Sequence, residues 1–254
     1  MSTGYVVIGH ASILEAAMEI RESLAFCLTK QLYYQVTPSE TDIHNALHQL
    51  RVKDESKYFA CLKAFSSSTS VFAPTVNKEV INLTTSLGIE LPFLVTPPLL
   101  HVVAPDLAID PEKVYFPWHR DIDSTRGTRG SCVVWMPLTP VDKECSPLQF
   151  ISHSHSWKKV KVHPQNPGFS SVVDDRVTKA DCHEMLMEVG QLVVFSSYLI
   201  HRTLPGNGFR LALSWRLNDG ADPDWSERNF YNPWVRKLEP AGLGSPKLKI
   251  SETS

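Results

Sequence analysis

The sequence predicts a mainly β fold with helices packed on one side, and three observations carry that reading. Helical periodicity fills about residues 10–90, short β-branched runs fill about 91–218, and the two textures do not alternate. Helices that precede strands argue against a doubly wound α/β sheet. They favour a mostly antiparallel β core, a barrel or sandwich, with the helices on one face.

The elements follow in order. Apolar residues recur at helical spacing from 13 to about 34, at Ile13, Leu14, Ala17, Ile20, Leu24, Cys27 and Leu28. Thr37-Pro38-Ser39-Glu40 reads as a capping box with proline at the first helical position, opening a helix through Ile43, Leu47 and Leu50. Further helices are expected around 58–65 and 78–87, the latter closed by Gly88. Apolar runs at 93–104, 130–138, 147–151, 190–199 and 209–217, separated by Pro/Gly/Asp loops, read as strands. Residues 219–254 form a C-terminal extension whose last dozen, with Gly242, Gly244 and Pro246, should fray. One domain spanning 1–254 is expected.

Composition narrows the function. The 254 residues are 43% hydrophobic and 20% charged, enough to bury one substantial core. With 25 Lys+Arg against 27 Asp+Glu, the net charge of −2 lacks the basic excess of a nucleic-acid binder. The longest uncharged stretch, 15 residues between Glu90 and Asp106, contains four prolines and is shorter than the roughly 20 apolar residues of a membrane span. Without a basic N-terminal region, and with Glu15 and Glu19 interrupting the first apolar stretch, a secretory signal is not expected and the cytoplasm is. Five scattered cysteines, never in a C-x-x-C pair, fit reduced thiols packed as small buried side chains. No Gly-x-Gly-x-x-Gly or Walker-type loop offers a phosphate cradle.

The chemistry centres on Trp118-His119-Arg120-Asp121. On extended backbone, His119 and Asp121 point the same way. An imidazole beside a carboxylate makes two-thirds of the 2-His-1-carboxylate triad of non-haem Fe(II) oxygenases. His201, at the end of the apolar run 190–199 and its Ile200, is the candidate third ligand. Nine positions later, Arg210 opens the alternating segment Arg210-Leu-Ala-Leu-Ser-Trp-Arg216. A buried arginine keeps its charge and needs an anionic partner. That partner is either the distal carboxylate of 2-oxoglutarate, held bidentately, or a protein carboxylate.

Residues 93–217 resemble the Fe(II)/2-oxoglutarate-dependent dioxygenases, and within them the phytanoyl-CoA dioxygenase (PhyH-like) family. The resemblance rests on Trp118-His119-Arg-Asp121, the Cys132-Val-Val-Trp135-Met-Pro-Leu run, Pro147-Leu148-Gln-Phe-Ile-Ser-His-Ser154-His155, and Glu188-Val-Gly190-Gln…His201-Arg-Thr203…Arg210. It implies a double-stranded β-helix (jelly-roll, cupin-like) core with Fe(II) at its mouth. It further implies His119, Asp121 and His201 as ligands, Arg210 on 2-oxoglutarate, and Trp135 and Thr203 flanking that cosubstrate. The residues themselves leave Trp135 open as a core aromatic, and Thr203 as a loop hydroxyl bonding its own backbone. Two positions depart from the family pattern. Ser146 precedes Pro147-Leu148 where the family usually reads Gly-Pro-Leu, and Ser152-His153 replaces Pro-Gly.

The implied reaction consumes O2 and 2-oxoglutarate, releases succinate and CO2, and oxidises a C–H bond, most simply by hydroxylation. The retained Asp121 argues against halogenation. Arg216, on the face of Arg210, together with Arg126, Arg129 and His153, is a candidate contact for an anionic small metabolite or natural-product intermediate. For Arg126 and Arg129 the alternative is a solvated loop, and for His153 simple exposure. The competing functions are a cupin-like metalloprotein that does not use 2-oxoglutarate and an inactive jelly-roll binding protein.

Overall fold

The computed structural model describes residues 1–108, 115–125, 127–166 and 169–223. Helix α1 (Ala11–Leu32) buries Ile13, Ala17, Ile20, Leu24, Ala25 and Leu28, the stripe its periodicity predicts. Helix α2 (Glu40–Lys53) corrects the expected capping box. Its N-cap is Ser39, whose hydroxyl accepts from the Asp42 N–H at 3.2 Å. Pro38 therefore lies outside the helix, and its carbonyl instead accepts the Arg21 Nε–H at 2.9 Å, tying α2 to α1. Helix α3 (Glu55–Phe65), capped by Asp54, buries Tyr58, Cys61 and Phe65. A short α4 (Thr69–Phe72) leads towards α5 (Lys78–Ser86), after which Gly88 takes φ +94° and turns the chain, as a glycine there should.

Ten strands follow or precede these helices among the described residues: β1 (Tyr5–Gly9), β2 (Pro92–Val103), β3 (Cys132–Pro137), β4 (Leu148–Ile151), β5 (Val162–Asn166), β6 (Phe169–Val172), β7 (Cys182–Met185), β8 (Gln191–Ser196), β9 (His201–Thr203) and β10 (Arg210–Asp219). They form an antiparallel five-stranded sheet β1-β8-β3-β10-β2, a three-stranded sheet β7-β4-β9 and the hairpin β5-β6. The five apolar runs correspond to β2, β3, β4, β8 and β10. The remaining strands do not stand out as apolar runs: β5, β6, β7 and β9 are short and mostly polar, and β1, apolar but only five residues long, lies before the first helical stretch.

The large sheet has two buried faces. Val134, Met136, Val194, Leu211, Leu213 and Trp215 join the buried residues of α1, α2 and α3 in one hydrophobic cluster. Their strand neighbours Val133, Trp135, Val193, Phe195 and Ala212 pack instead with Leu148 and Phe150 of β4 and Met185 of β7. Strand alternation thus sorts each side chain between the helical layer and the interior of a β sandwich. On β10 this sends Arg210, Ser214 and Arg216 to the interior. Among the described residues, no helix is long and apolar enough to cross a membrane.

Both departures from the family pattern sit where backbone geometry favours glycine. Ser146 adopts φ +53° and His153 φ +65°. A non-glycine residue in this region costs on the order of 1–2 kcal/mol. Ser146 is also fully buried, and its hydroxyl has no hydrogen-bond partner. Ser146→Gly should therefore raise stability by about 1 kcal/mol, read as a thermal midpoint about 2–4 °C higher. An equal gain from Ser146→Ala would assign the effect to the hydroxyl and not the backbone.

Candidate metal centre

The site begins with two backbone hydrogen bonds. The His119 N–H donates to the His201 carbonyl at 2.9 Å, and the His201 N–H returns the bond to the His119 carbonyl at 3.0 Å. This isolated antiparallel bridge sets the two histidines directly opposite each other, with ring centroids 4.1 Å apart. The chain then turns at Asp121 into the short helix α6 (Ile122–Thr125), and the Asp121 carbonyl accepts from the Ser124 and Thr125 N–H groups. Extended backbone thus holds for His119 but ends at Asp121.

Side-chain geometry fixes what each ring presents. His119 Nδ1 lies 2.8 Å from the Pro117 carbonyl and His201 Nδ1 3.0 Å from the Leu199 carbonyl. A carbonyl only accepts, so each Nδ1 carries the proton and each Nε2 keeps a free lone pair. His119, Asp121 and His201 bring one donor atom each within 4.8 Å of one another. Asp121 Oδ2 is buried without a hydrogen-bond partner and faces His201 Nε2 at 3.4 Å. Two lone-pair atoms approaching with no proton between them repel, and a cation relieves that repulsion. The residues present fit a metal ion.

The charge states agree. Burial pushes the His119 pKa down to about 3, with nearby His201 adding to the effect, and burial lowers His201 as well. Burial alone would raise Asp121, but the Arg216 guanidinium and the two imidazoles outweigh it and hold the carboxyl well below the usual range. At neutral pH the cluster is two neutral imidazoles and one carboxylate, the protonation states that ligation requires.

Arg210 is 2% exposed at the start of β10. It donates through one terminal nitrogen to the Ser146 carbonyl, its Nε has no partner, and its guanidinium lies 5.7 Å from the Trp135 ring centroid. Burial lowers its pKa to about 10, so it remains a cation at neutral pH. Among the described residues it pairs with no carboxylate. Thr203 is buried two residues after His201 and so shares its face of β9. A buried guanidinium that meets a carbonyl and an indole but no carboxylate among the described residues fits the far carboxylate of 2-oxoglutarate.

Other candidates fall differently. Arg216, expected to meet a substrate anion, instead bonds a protein carboxylate: its Nε and one terminal nitrogen reach Asp121 Oδ1 at 3.0 and 2.9 Å. His153 is exposed, with Nδ1 2.9 Å from the Ser2 carbonyl, and ties down the N-terminal segment. Arg129 is exposed in the turn before β3, and Arg126 lies outside the described residues. Sequence reasoning missed His101 on β2, 2.7 Å from Ser214 Oγ, and the phenylalanines 116 and 169, whose rings lie 5.7 and 5.2 Å from that of His119. His101 is the one polar side chain in the run from Pro97 to Ala104, which is a signal, but its partner on β10 depends on a sheet register the sequence does not show.

Residues 36–212 match the model of the phytanoyl-CoA dioxygenase (PhyH) family, more than half of the chain. The chain belongs to that family. It is an Fe(II)- and 2-oxoglutarate-dependent dioxygenase that uses O2. Solved structures share its fold. Apo ThoJ, a non-heme monooxygenase, has a TM-score of 0.57 at 14% identity, covering 86% of this chain and 75% of that one. The ThoJ–Ni complex has a TM-score of 0.54 at 15% identity, covering 86% and 74%. The apo form of EctD from S. alaskensis has a TM-score of 0.55 at 10% identity, covering 95% and 82%. No curated protein matches the chain in sequence.

A buried cation with no anionic partner destabilises the fold that contains it. Arg210→Met should leave the metal-free protein as stable as the parent or about 1 kcal/mol more stable in urea unfolding. A loss of more than about 2 kcal/mol would show that Arg210 has a structural partner.

Proposed function

We propose that His119, Asp121 and His201 hold the Fe(II), that Arg210 binds the distal carboxylate of 2-oxoglutarate, and that the enzyme hydroxylates an unactivated C–H bond of a small molecule. The observation that carries this reading is the meeting of His119, Asp121 and His201, each with one possible ligand atom within 4.8 Å of the others, where both Nδ1 atoms are committed to carbonyls and Asp121 Oδ2 has no hydrogen-bond partner. With its cosubstrate and O2, the iron supplies the oxidising power for C–H cleavage, and succinate and CO2 are the co-products. The protein supplies position. The carbonyls of Pro117 and Leu199 lock both ring tautomers, Arg210 anchors the cosubstrate through charge, and Trp135 walls it off from water, with Thr203 at its flank.

Phe116 and Phe169 lie against His119, and Phe116 is 44% exposed. They suit an apolar portion of the substrate. Of the side chains expected to meet a substrate anion, Arg216 is held by Asp121 and His153 by Ser2. Recognition of an anionic group would thus depend on Arg129 and on Arg126. The absence of a carboxylate partner for Arg210 among the described residues counts against a metalloprotein that does not use 2-oxoglutarate. The shared hydrophobic cluster of helices and large sheet supports one catalytic domain. Five free cysteines suit a reducing, cytoplasmic setting.

Anaerobic titration with Fe(II) and 2-oxoglutarate tests the assignment. A weak visible charge-transfer band should appear, vanish in His119→Ala, and require far more 2-oxoglutarate in Arg210→Met. Iron bound stoichiometrically with no band would refute the cosubstrate assignment. Succinate release across a panel of small molecules, apolar and anionic, then identifies the substrate class.

A further inference from the structure

Arg216 touches Asp121 in an unusual way. Its Nε and one terminal nitrogen both donate to the same oxygen, Oδ1, at 3.0 and 2.9 Å, and do not fork across the two carboxylate oxygens. Its other terminal nitrogen donates to Ser214 Oγ at 2.9 Å. Ser214 Oγ in turn lies 2.7 Å from His101 Nε2. Four side chains from three segments therefore form one line: His101 on β2, Ser214 and Arg216 on β10, and Asp121 before α6.

The sheet is shaped to allow this. Ser214 pairs with Leu99 and Arg216 with Thr96, so β2 inserts one extra residue opposite two positions of β10. The insertion falls at Pro97-Pro98, which cannot donate to a ladder and are tolerated because β2 is an edge strand. A bulge bends its strand and re-aims neighbouring side chains. Here it lies beside the pair that reaches Asp121.

We propose that Arg216 is a positioning residue for the metal site: it caps Oδ1 of Asp121, leaves Oδ2 as the one carboxylate oxygen open to the metal, and is held in that pose by Ser214 and His101. The proposal rests on Asp121 being a ligand, as argued above. Among the described residues, Asp121 has no other side-chain hydrogen bond to stop its carboxylate from rotating. A carboxylate pinned through one oxygen offers the other in a fixed direction. Losing such a partner typically costs about 10–100-fold in metal affinity.

The test is Mn(II) binding to the metal-free full-length protein, read from the EPR signal of free Mn(II), and needs no substrate. Arg216→Met should weaken binding by about 10–100-fold. Arg216→Lys, which keeps the charge and one donor, should recover part of that loss. Ser214→Ala should weaken binding several-fold while the Arg216 charge stays in place. Asp121→Ala separates the two readings. If that variant binds Mn(II) like the parent, the ligand assignment fails. If it does not bind, yet folded Arg216→Met binds like the parent, the clamp is refuted and Arg216 returns to the substrate. Should Arg216→Met not fold, Arg216→Lys and Ser214→Ala decide: parental affinity in both refutes the clamp, and weaker binding in both supports it.

Discussion

The two backbone hydrogen bonds between His119 and His201 are the constraint on which the site depends. Strand β9 has only three residues, and His119 sits in a loop, so neither histidine is placed by a long element of its own. Reciprocal N–H to carbonyl bonds make them face each other regardless of what the side chains do. The same segment is tied from its other side, where the Val172 N–H of β6 donates to the Trp118 carbonyl. Phe150 of β4, opposite His201 in register, backs β9 from the core. Ring orientation then follows from two local carbonyls, so the direction of both Nε2 lone pairs is set by the fold alone.

The helices contribute at one remove. They cover the outer face of the large sheet, so that face can be uniformly apolar and the alternate positions are free to carry charge inward. Arg210, Ser214 and Arg216 occupy those alternate positions on β10, between Leu211, Leu213, Trp215 and Leu217 of the helical cluster. A buried and a partly buried guanidinium on one strand are costly, and the structure treats them differently. Arg216 is neutralised by Asp121, whereas Arg210 meets, among the described residues, a carbonyl and an indole but no carboxylate. The unneutralised one is the residue proposed to take the distal carboxylate of 2-oxoglutarate.

Much of this was legible in the residues, and the limits have physical causes. The runs that became β2, β3, β4, β8 and β10 are long enough or apolar enough to announce themselves, whereas β5, β6, β7 and β9 have five residues or fewer and are largely polar, and the five apolar residues of β1 stand alone ahead of the first helix. The parity that places Arg216 on the face of Arg210 follows from the sequence alone. Its partner does not, because Asp121 is 95 residues away and lies on neither strand that pairs with β10. The capping box was misplaced by two residues because Thr37 and Ser39 both carry a suitable hydroxyl. In the fold the Ser39 hydroxyl takes the Asp42 N–H, the Thr37 hydroxyl donates to the Asp42 carboxylate, and the Pro38 carbonyl accepts from Arg21. Ser146 and His153 stood out as departures, and their positive φ shows that the turn persists without the glycine that would ease it.

The most direct test of the account is anomalous diffraction at the manganese edge from crystals of the protein loaded with Mn(II). One strong peak is expected, bonded to Nε2 of His119, Nε2 of His201 and Oδ2 of Asp121, with Arg216 still on Oδ1. A peak that leaves out His201, or lies away from all three side chains, would contradict it.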